Sequence, residues 1–449
     1  MKTLHLRNTM SRRLERFRPR AKGEVKIFTC GPSIYDRPHI GNYRTYIYED
    51  ILERYLQYLG YRTKRVINFT DVEDKSIARI QKLGKNLAEV TEPNAAIFRQ
   101  EAAKLNIRLP ACIPRSSTCI EPAVELIKVL LKKGYAYRHG RDIFYDPLKF
   151  KGFGKLYRLD MSRWPARKRR FAKDTYPGRR WNLGDFILWH GCRPEWGGGV
   201  CWETELGKGR PAWNVQDPAV IAAHLGYQVD ISCGGIDNIY RHHDYNIAVI
   251  EGVSGQEFAR YWLHGQHVLL DGRKMSKSKG NILYPDDLTA KGLSYNHIRF
   301  HLLRTHYRRK INLTDRKLSA SRELLDAIQI MARGIIEPRL VLQNDTAHCA
   351  GLIAVLGRDF ELAMNNDLDT NRAVKGLGDN LAKLAAFEER QGLKGEQAAV
   401  AAEVLAGIDS VLQVLNLWEE PGDKRLPVII SENRPDQIPI RMDRTVFQA

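Results

Sequence analysis

Between residues 26 and 69 the chain alternates strand, helix and strand. Lys26-Ile-Phe-Thr-Cys30 has the short apolar run of a buried strand, and Gly31-Pro32 ends it. From Tyr46 to Leu59 the residues Ile47, Ile51, Leu52, Tyr55, Leu56 and Leu59 fall on one helical stripe, and Gly60 closes it. Tyr61 to Phe69 then reads as a second strand. Such a βαβ unit needs parallel strands, and a parallel sheet places its ligand site beyond the C-terminal ends of those strands. The chain is therefore α/β, and the loop after Cys30 is the first place to look for chemistry.

The rest of the 449 residues exceeds what one core holds. Residues 1–113 contain the βαβ unit. Over 114–210 the alternation lapses into a stretch rich in Gly, Arg and aromatics, read as an inserted subdomain. Short strands and helices resume over 211–312. Residues 313–418 carry amphipathic helices, notably Lys317–Ala332 and Ala398–Leu417. Residues 419–449 contain prolines and little periodicity, and they receive no assignment. The expected architecture is a parallel-sheet domain split by an insertion and followed by an α-helical bundle.

No apolar run is long enough to span a membrane, and the N-terminal residues lack the apolar stretch of a secretory signal, so a cytoplasmic protein is expected. Seven cysteines, odd in number and irregular in spacing, give no disulfide framework; most read as small buried hydrophobes. The net charge of +19 points to a polyanionic partner, because clustered Lys and Arg gain affinity by releasing counterions from phosphates. The charge is concentrated: Met161 to Arg180 holds eight Lys or Arg against one acid.

Two short motifs carry chemistry. His39-Ile-Gly-Asn42 lies between the first strand and the first helix, and Lys274-Met-Ser-Lys-Ser278 lies well over 200 residues later. Their residue types fit one ATP. His39 and Asn42 can donate to phosphate oxygens, and Gly41 lets the nucleotide approach the backbone. Lys274 and Lys277 can hold the charge that grows on departing pyrophosphate. Mg²⁺ would accompany the nucleotide.

The pair resembles the HIGH and KMSKS signatures of class I aminoacyl-tRNA synthetases. The residues around them resemble the cysteinyl family in particular: Phe28-Thr-Cys-Gly-Pro-Ser-Ile-Tyr-Asp36, Asn68-Phe-Thr-Asp-Val-Glu-Asp-Lys75, Gly184-Asp-Phe-Ile-Leu-Trp189, Gly209-Arg-Pro-Ala-Trp213, His242-His243 and Phe360-Glu-Leu-Ala-Met-Asn-Asn-Asp367. The resemblance implies a Rossmann-like catalytic domain and a tRNA-binding helical bundle in a monomer. It also implies a two-step reaction, in which a small amino acid is adenylated by ATP and then passed to the 3′ end of tRNA. Gly234 and Gly235 would join His39, Gly41, Asn42, Lys274 and Lys277 around ATP. Cys30, Thr70, Trp213 and Asp237 would line the amino-acid pocket.

The sequence departs from the family at its zinc. The family's two Cys, one His and one Glu fall here at Cys30, Asp217, His242 and Asn246. Asp is a harder ligand than thiolate, and a neutral amide is a poor one. This set predicts substoichiometric zinc, adenylation that survives chelation and weak discrimination of cysteine from serine or alanine, unless Cys233 substitutes. Nothing after Trp418 matches the family's small anticodon-reading domain. Two other readings therefore stay open: a ligase that passes the activated amino acid to a small amine or carrier, as a related mycothiol-pathway ligase does, and a non-catalytic RNA-binding paralogue. The charge gives a direct test. Affinity for tRNA is expected to fall steeply between low and moderate salt; a flat salt response, measured by filter binding, would favour the small-acceptor reading.

Overall fold

The computed structural model describes residues 3–160, 184–196, 199–275, 280–337 and 344–417. The basic cluster at 163–180, Lys277 and the tail beyond Leu417 lie outside the described residues.

β1 (His5–Asn8) and β2 (Arg13–Arg16) form an antiparallel hairpin. β3 (Glu24–Thr29), α1 (Ile40–Tyr58) and β4 (Arg62–Ile67) are the expected βαβ unit, with β3 and β4 parallel. α2 (Asp74–Leu83), α3 (Leu87–Lys104) and α4 (Ile120–Lys132) follow. β5 (Ala136–His139), β6 (Asp142–Tyr145), β7 (Phe186–Gly191) and β8 (Gly209–Pro211) make an antiparallel sheet within the expected insertion. α5 (Trp213–His224), β9 (Val229–Gly235), α6 (Asp244–Ser254) and β10 (Ala259–Gly265) return the chain to the parallel sheet. β11 (Val268–Leu270), β12 (Arg273–Lys274), α7 (Pro285–Thr289), α8 (Tyr295–Leu303) and β13 (Ile311–Leu313) come next. Four helices complete the described chain: α9 (Asp315–Ile336), α10 (Thr346–Met364), α11 (Thr370–Gln391) and α12 (Gly395–Leu412).

The main sheet has the order β10-β9-β3-β4, and every pair in it is parallel. From β3 the chain moves to one side for β4 and returns to the other for β9. That reversal opens a crevice at the C-terminal ends of β3 and β9, where ligands bind in sheets of this kind. A continuous apolar core joins this sheet to the insertion. Phe28, Val66 and Val229 from the strands share it with Ala123 and Ile127 of α4, Val215 and Ala219 of α5, and Phe186 and Trp189 of β7. Aromatic stacking extends the join: Tyr145, Phe186 and Tyr245 are centred 4.7 and 4.0 Å apart in near-parallel pairs. Each such contact adds about 0.5–1.5 kcal/mol beyond simple burial.

By contact density the chain divides into two compact units, Met1–Arg322 with Ala363–Asn371, and Glu323–Leu362 with Arg372–Ala449. Within the second, helical spacing explains the packing. Leu325, Ile328, Ala332 and Ile335 of α9 are buried, as are Ile353, Leu356 and Phe360 of α10 and Leu377, Leu381 and Leu384 of α11. α12 ends at Leu412, before the expected Leu417, because Gln413 adopts the left-handed conformation that closes helices. Among the described residues no helix is long and apolar enough to cross a membrane. One local disulfide, Cys192–Cys201, closes the loop between β7 and β8, a pairing the irregular cysteine spacing did not signal. Cys30, Cys119, Cys233 and Cys349 are free and buried, as expected, while Cys112 is exposed.

Helix α1 is buried nearly all round and is held by charge as well as by apolar packing. Asp50 and Arg299 of α8 are both fully buried and pair at 2.7 Å. Arg299 also donates to the Leu105 and Asn106 carbonyls, and Arg54 donates to both Asp50 oxygens. Burial pushes the Asp50 carboxyl up, but Arg299, Arg54 and Arg65 outweigh it and hold it below its ordinary value. Removing one partner of a buried pair strands the other in low dielectric. Asp50→Asn is therefore expected to cost about 3–5 kcal/mol of stability, measured by chemical denaturation; a cost near zero would show that apolar packing alone positions α1 and α8.

Candidate functional site

The crevice is built by close backbone approach. A Cβ on Gly31 would sit 1.5 Å from the Asn68 carbonyl oxygen, so no larger residue fits between the ends of β3 and β4. Gly31 N–H donates to Asn68 Oδ1 at 3.1 Å. The Asn68 amide in turn donates to Asp217 Oδ1 at 2.8 Å and to Thr70 Oγ1 at 3.4 Å. Thr70 is buried beneath the crevice.

The His39–Asn42 motif begins α1, and its side chains cap the helix. His39 has extended backbone, Gly41 N–H donates to its Nδ1 at 3.1 Å, and His39 N–H donates to Asn42 Oδ1 at 3.0 Å. Two of the orphan donors at the helix start are thereby satisfied. The same bonds set polarity. With Nδ1 accepting, the neutral ring carries its proton on Nε2, and Asn42 keeps its NH₂ as a donor. The helix dipole adds positive potential at this end, which suits phosphate.

The second motif meets the first through Gly41. A Cβ there would lie 3.0 Å from the His39 ring and 3.1 Å from Met275 Cε, and Met275 is buried. Its neighbour Lys274 stays exposed, with Nζ 3.5 Å from Asp237 Oδ2. Asp237 therefore sits beside the motif lysine as well as at the end of β9. Gly234 lies there too: Tyr48 OH donates to its carbonyl at 2.9 Å and accepts from its N–H at 3.0 Å. Gly235 faces Asp237, whose Oδ1 would be 2.8 Å from an added Cβ.

At the floor of the crevice, Cys30 Sγ lies 3.4 Å from Asp217 Oδ2, 3.3 Å from His242 Nε2 and 3.1 Å from His243 Nε2. Asp217 Oδ2 is 2.8 Å from His242 Nε2. Trp213 opens α5 and stacks on His242, with centroids 4.2 Å apart and 15° between planes. Burial pushes the Cys30 thiol well up, and the Asp217 carboxylate adds to this. Burial, with His264 and His242 as neighbours, holds His243 well below its ordinary value and therefore neutral. Among the described residues, Cys30, His242 and His243 are the group of ligand-type side chains whose donor atoms converge within 4.8 Å.

Three of the four expected metal positions thus meet, and His243, absent from the expected set, joins them. Both rings reach Cys30 because the backbone kinks ahead of them. Tyr240 is extended and Arg241 is left-handed at φ 69°, a conformation that costs a non-glycine residue about 1–2 kcal/mol. The fourth expected position, Asn246, is buried, and neither of its amide atoms has a hydrogen-bond partner. Cys233 is not in the group. It is fully buried and interacts with the Tyr48 hydroxyl, against α1.

Comparison with known proteins identifies the family. The profile of the class I (C) tRNA synthetase catalytic domain matches residues 16–323. Cysteine–tRNA ligase from Chlamydia muridarum is 35% identical over 427 residues, covering 92% of this chain and 88% of the relative. That from Chlamydia pneumoniae is 36% identical over 416 residues, covering 92% and 87%. The fold resembles Mycobacterium tuberculosis methionyl-tRNA synthetase, at a TM-score of 0.62 and 16% identity over 87% of this chain and 90% of that one. It also resembles an Agrobacterium radiobacter LeuRS, at a TM-score of 0.64 and 11% identity over 89% and 85%. With the profile matched over most of its length and relatives above 30% identity, the chain belongs to the cysteinyl-tRNA synthetase family of class I aminoacyl-tRNA synthetases.

Proposed function

We propose that this chain activates cysteine with ATP as cysteinyl-adenylate and transfers it to the 3′ end of tRNA. The reading is supported by three features together: the capped start of α1, Met275 packed against Gly41 with Lys274 exposed beside it, and the Cys30 cluster. In the first step the amino-acid carboxylate attacks the α-phosphate and pyrophosphate leaves. A carboxylate nucleophile needs no general base, so catalysis is positioning and charge stabilisation. His39 Nε2–H, the Asn42 NH₂ and the α1 dipole receive phosphate oxygens. Lys274 neutralises the departing charge, and Mg²⁺ accompanies the nucleotide.

The amino acid enters over Trp213 and Thr70, with its side chain toward Cys30. A purely apolar pocket separates near-isosteres by only about 1–3 kcal/mol. A zinc ion at the Cys30 cluster would supply the missing discrimination by taking a thiolate. The donors present fit that ion: one thiolate, one carboxylate and, with His243 beside His242, two imidazoles, so the weak zinc binding and weak cysteine preference expected from Cys30, Asp217, His242 and Asn246 give way to the opposite expectation.

The test is ATP–pyrophosphate exchange across all twenty amino acids, followed by charging of tRNA. Cysteine is expected to lead serine and alanine by more than about a thousandfold, beyond the roughly two-hundredfold that a metal-free apolar pocket achieves. Exchange led by another amino acid would overturn the substrate, and exchange without tRNA charging would move the acceptor to a small amine. Lys274→Ala is expected to lower the exchange rate by about a hundredfold or more. A rate equal to that of the unaltered chain would remove this lysine from the reaction.

A further inference from the structure

We propose that His243 is a metal ligand, so that the centre is Cys30, Asp217, His242 and His243, with Asn246 outside it. This rests on the family reading above but changes the donor set that the sequence alone led one to expect. The geometry is the first argument. Donor atoms around a tetrahedral zinc, with Zn–S of about 2.3 Å and Zn–N or Zn–O of about 2.0–2.1 Å, stand about 3.4–3.6 Å apart. Cys30 Sγ keeps 3.4, 3.3 and 3.1 Å to Asp217, His242 and His243. Cys30, His242 and His243 already converge within 4.8 Å of one another, and Asp217 joins them through Cys30 and through His242 at 2.8 Å.

The outer support of His243 is the second argument. A ligating histidine commonly hands its other ring nitrogen to a fixed partner, which sets tautomer and orientation. His243 Nδ1 lies 2.8 Å from His264 Nε2, and His264 Nδ1 lies 2.8 Å from Thr9 Oγ1. When the His243 Nε2 lone pair faces a cation, protons run outward along this chain: His243 Nδ1–H donates to His264, and His264 Nδ1–H donates to Thr9. No donor is left stranded in that line. Gly234 makes the room, since a Cβ there would come within 2.8 Å of His243 Cε1 and 3.1 Å of Nε2.

Charge is the third argument. One thiolate, one carboxylate and two neutral imidazoles carry two negative charges, which balance a divalent ion. Replacing His243 by Asn246 would keep the charge but exchange a strong nitrogen donor for a weak amide. Asn246 hydrogen-bonds none of the four, and both its amide atoms are buried without a partner.

The experiment measures metal directly. Zinc content is determined after dialysis against a chelator, for the full chain and for His243→Ala and Asn246→Ala. X-ray absorption at the zinc edge is recorded on the unaltered chain. The expected result is about one zinc per chain for the unaltered protein and for Asn246→Ala, with retention lowered at least about tenfold in His243→Ala. The absorption spectrum is expected to require one sulfur at about 2.3 Å and two imidazole rings. A spectrum fitted by a single imidazole would overturn the proposal even if His243→Ala failed to fold. So would zinc kept by His243→Ala and lost by Asn246→Ala, or an unaltered chain that holds no zinc. Cysteine-dependent pyrophosphate exchange on the same preparations separates the two readings. Exchange without bound zinc sinks the centre alone, whereas the predicted zinc pattern without exchange sinks the function alone.

Discussion

A methyl group on the Gly31 Cα would overlap the carbonyl oxygen of Asn68. The ends of β3 and β4 therefore approach as closely as two backbones can, and the side chains on either side inherit their places from that approach. Cys30 is delivered to the floor of the crevice, and the Asn68 amide is delivered to Asp217. Asp217 is in turn aimed at His242 and Cys30. A buried carboxylate with one oxygen held by an amide is pre-oriented, and pre-orientation is what lets a small pocket act on a ligand without first reorganising.

Helix α1 shows a different kind of dependence. It carries Arg44, Glu49, Asp50, Glu53 and Arg54 in buried positions, an arrangement that an isolated helix does not tolerate. Each depends on its surroundings. Arg44 donates to the carbonyls of residues 305–307, and burial pushes its guanidinium down to about 9. Asp50 pairs with Arg299, and Glu53 pairs with Arg65 at 2.9 Å. Glu49 has no hydrogen-bonding partner for either oxygen, and burial pushes its carboxyl well up, so it sits in the core as a neutral acid. The helix that presents His39 and Asn42 is thus oriented by contacts to parts of the chain far away in sequence.

That explains what could and could not be read in advance. The βαβ unit and the four-residue motif at its turn are local, and periodicity with a few loop residues reveals them. The start of α1 was placed too late, at Tyr46 instead of Ile40, because the helix opens with polar residues whose burial depends on distant partners. Composition marks where the α/β alternation lapses, at 114–210, and carries no sign that α4 within that stretch packs with α5 and α6 in one apolar core. His243 was missed for a geometric reason. Adjacent residues in a helix or strand face different ways, so a His-His pair ordinarily supplies one inward ring; the left-handed turn at Arg241 breaks that rule. The doublet itself was the available signal, and only the kink gives it meaning. The local disulfide left no periodic trace at all.

The line from Thr9 through His264 and His243 to Cys30 also sets an order of events during synthesis. Cys30 and His243 are separated by 213 residues, and Thr9 and His264 by 255. While the ribosome has made only the first βαβ unit, Cys30 is a lone thiol with no partner for an ion. Its neighbours arrive with α5 and the Tyr240–Arg241 kink, and the last support arrives with β10. Contacts of such long range form late, since the loops between them must close first. A cation held at the proposed centre would therefore be recruited by a nearly complete catalytic fold rather than by the nascent chain, and its capture would follow folding instead of triggering it.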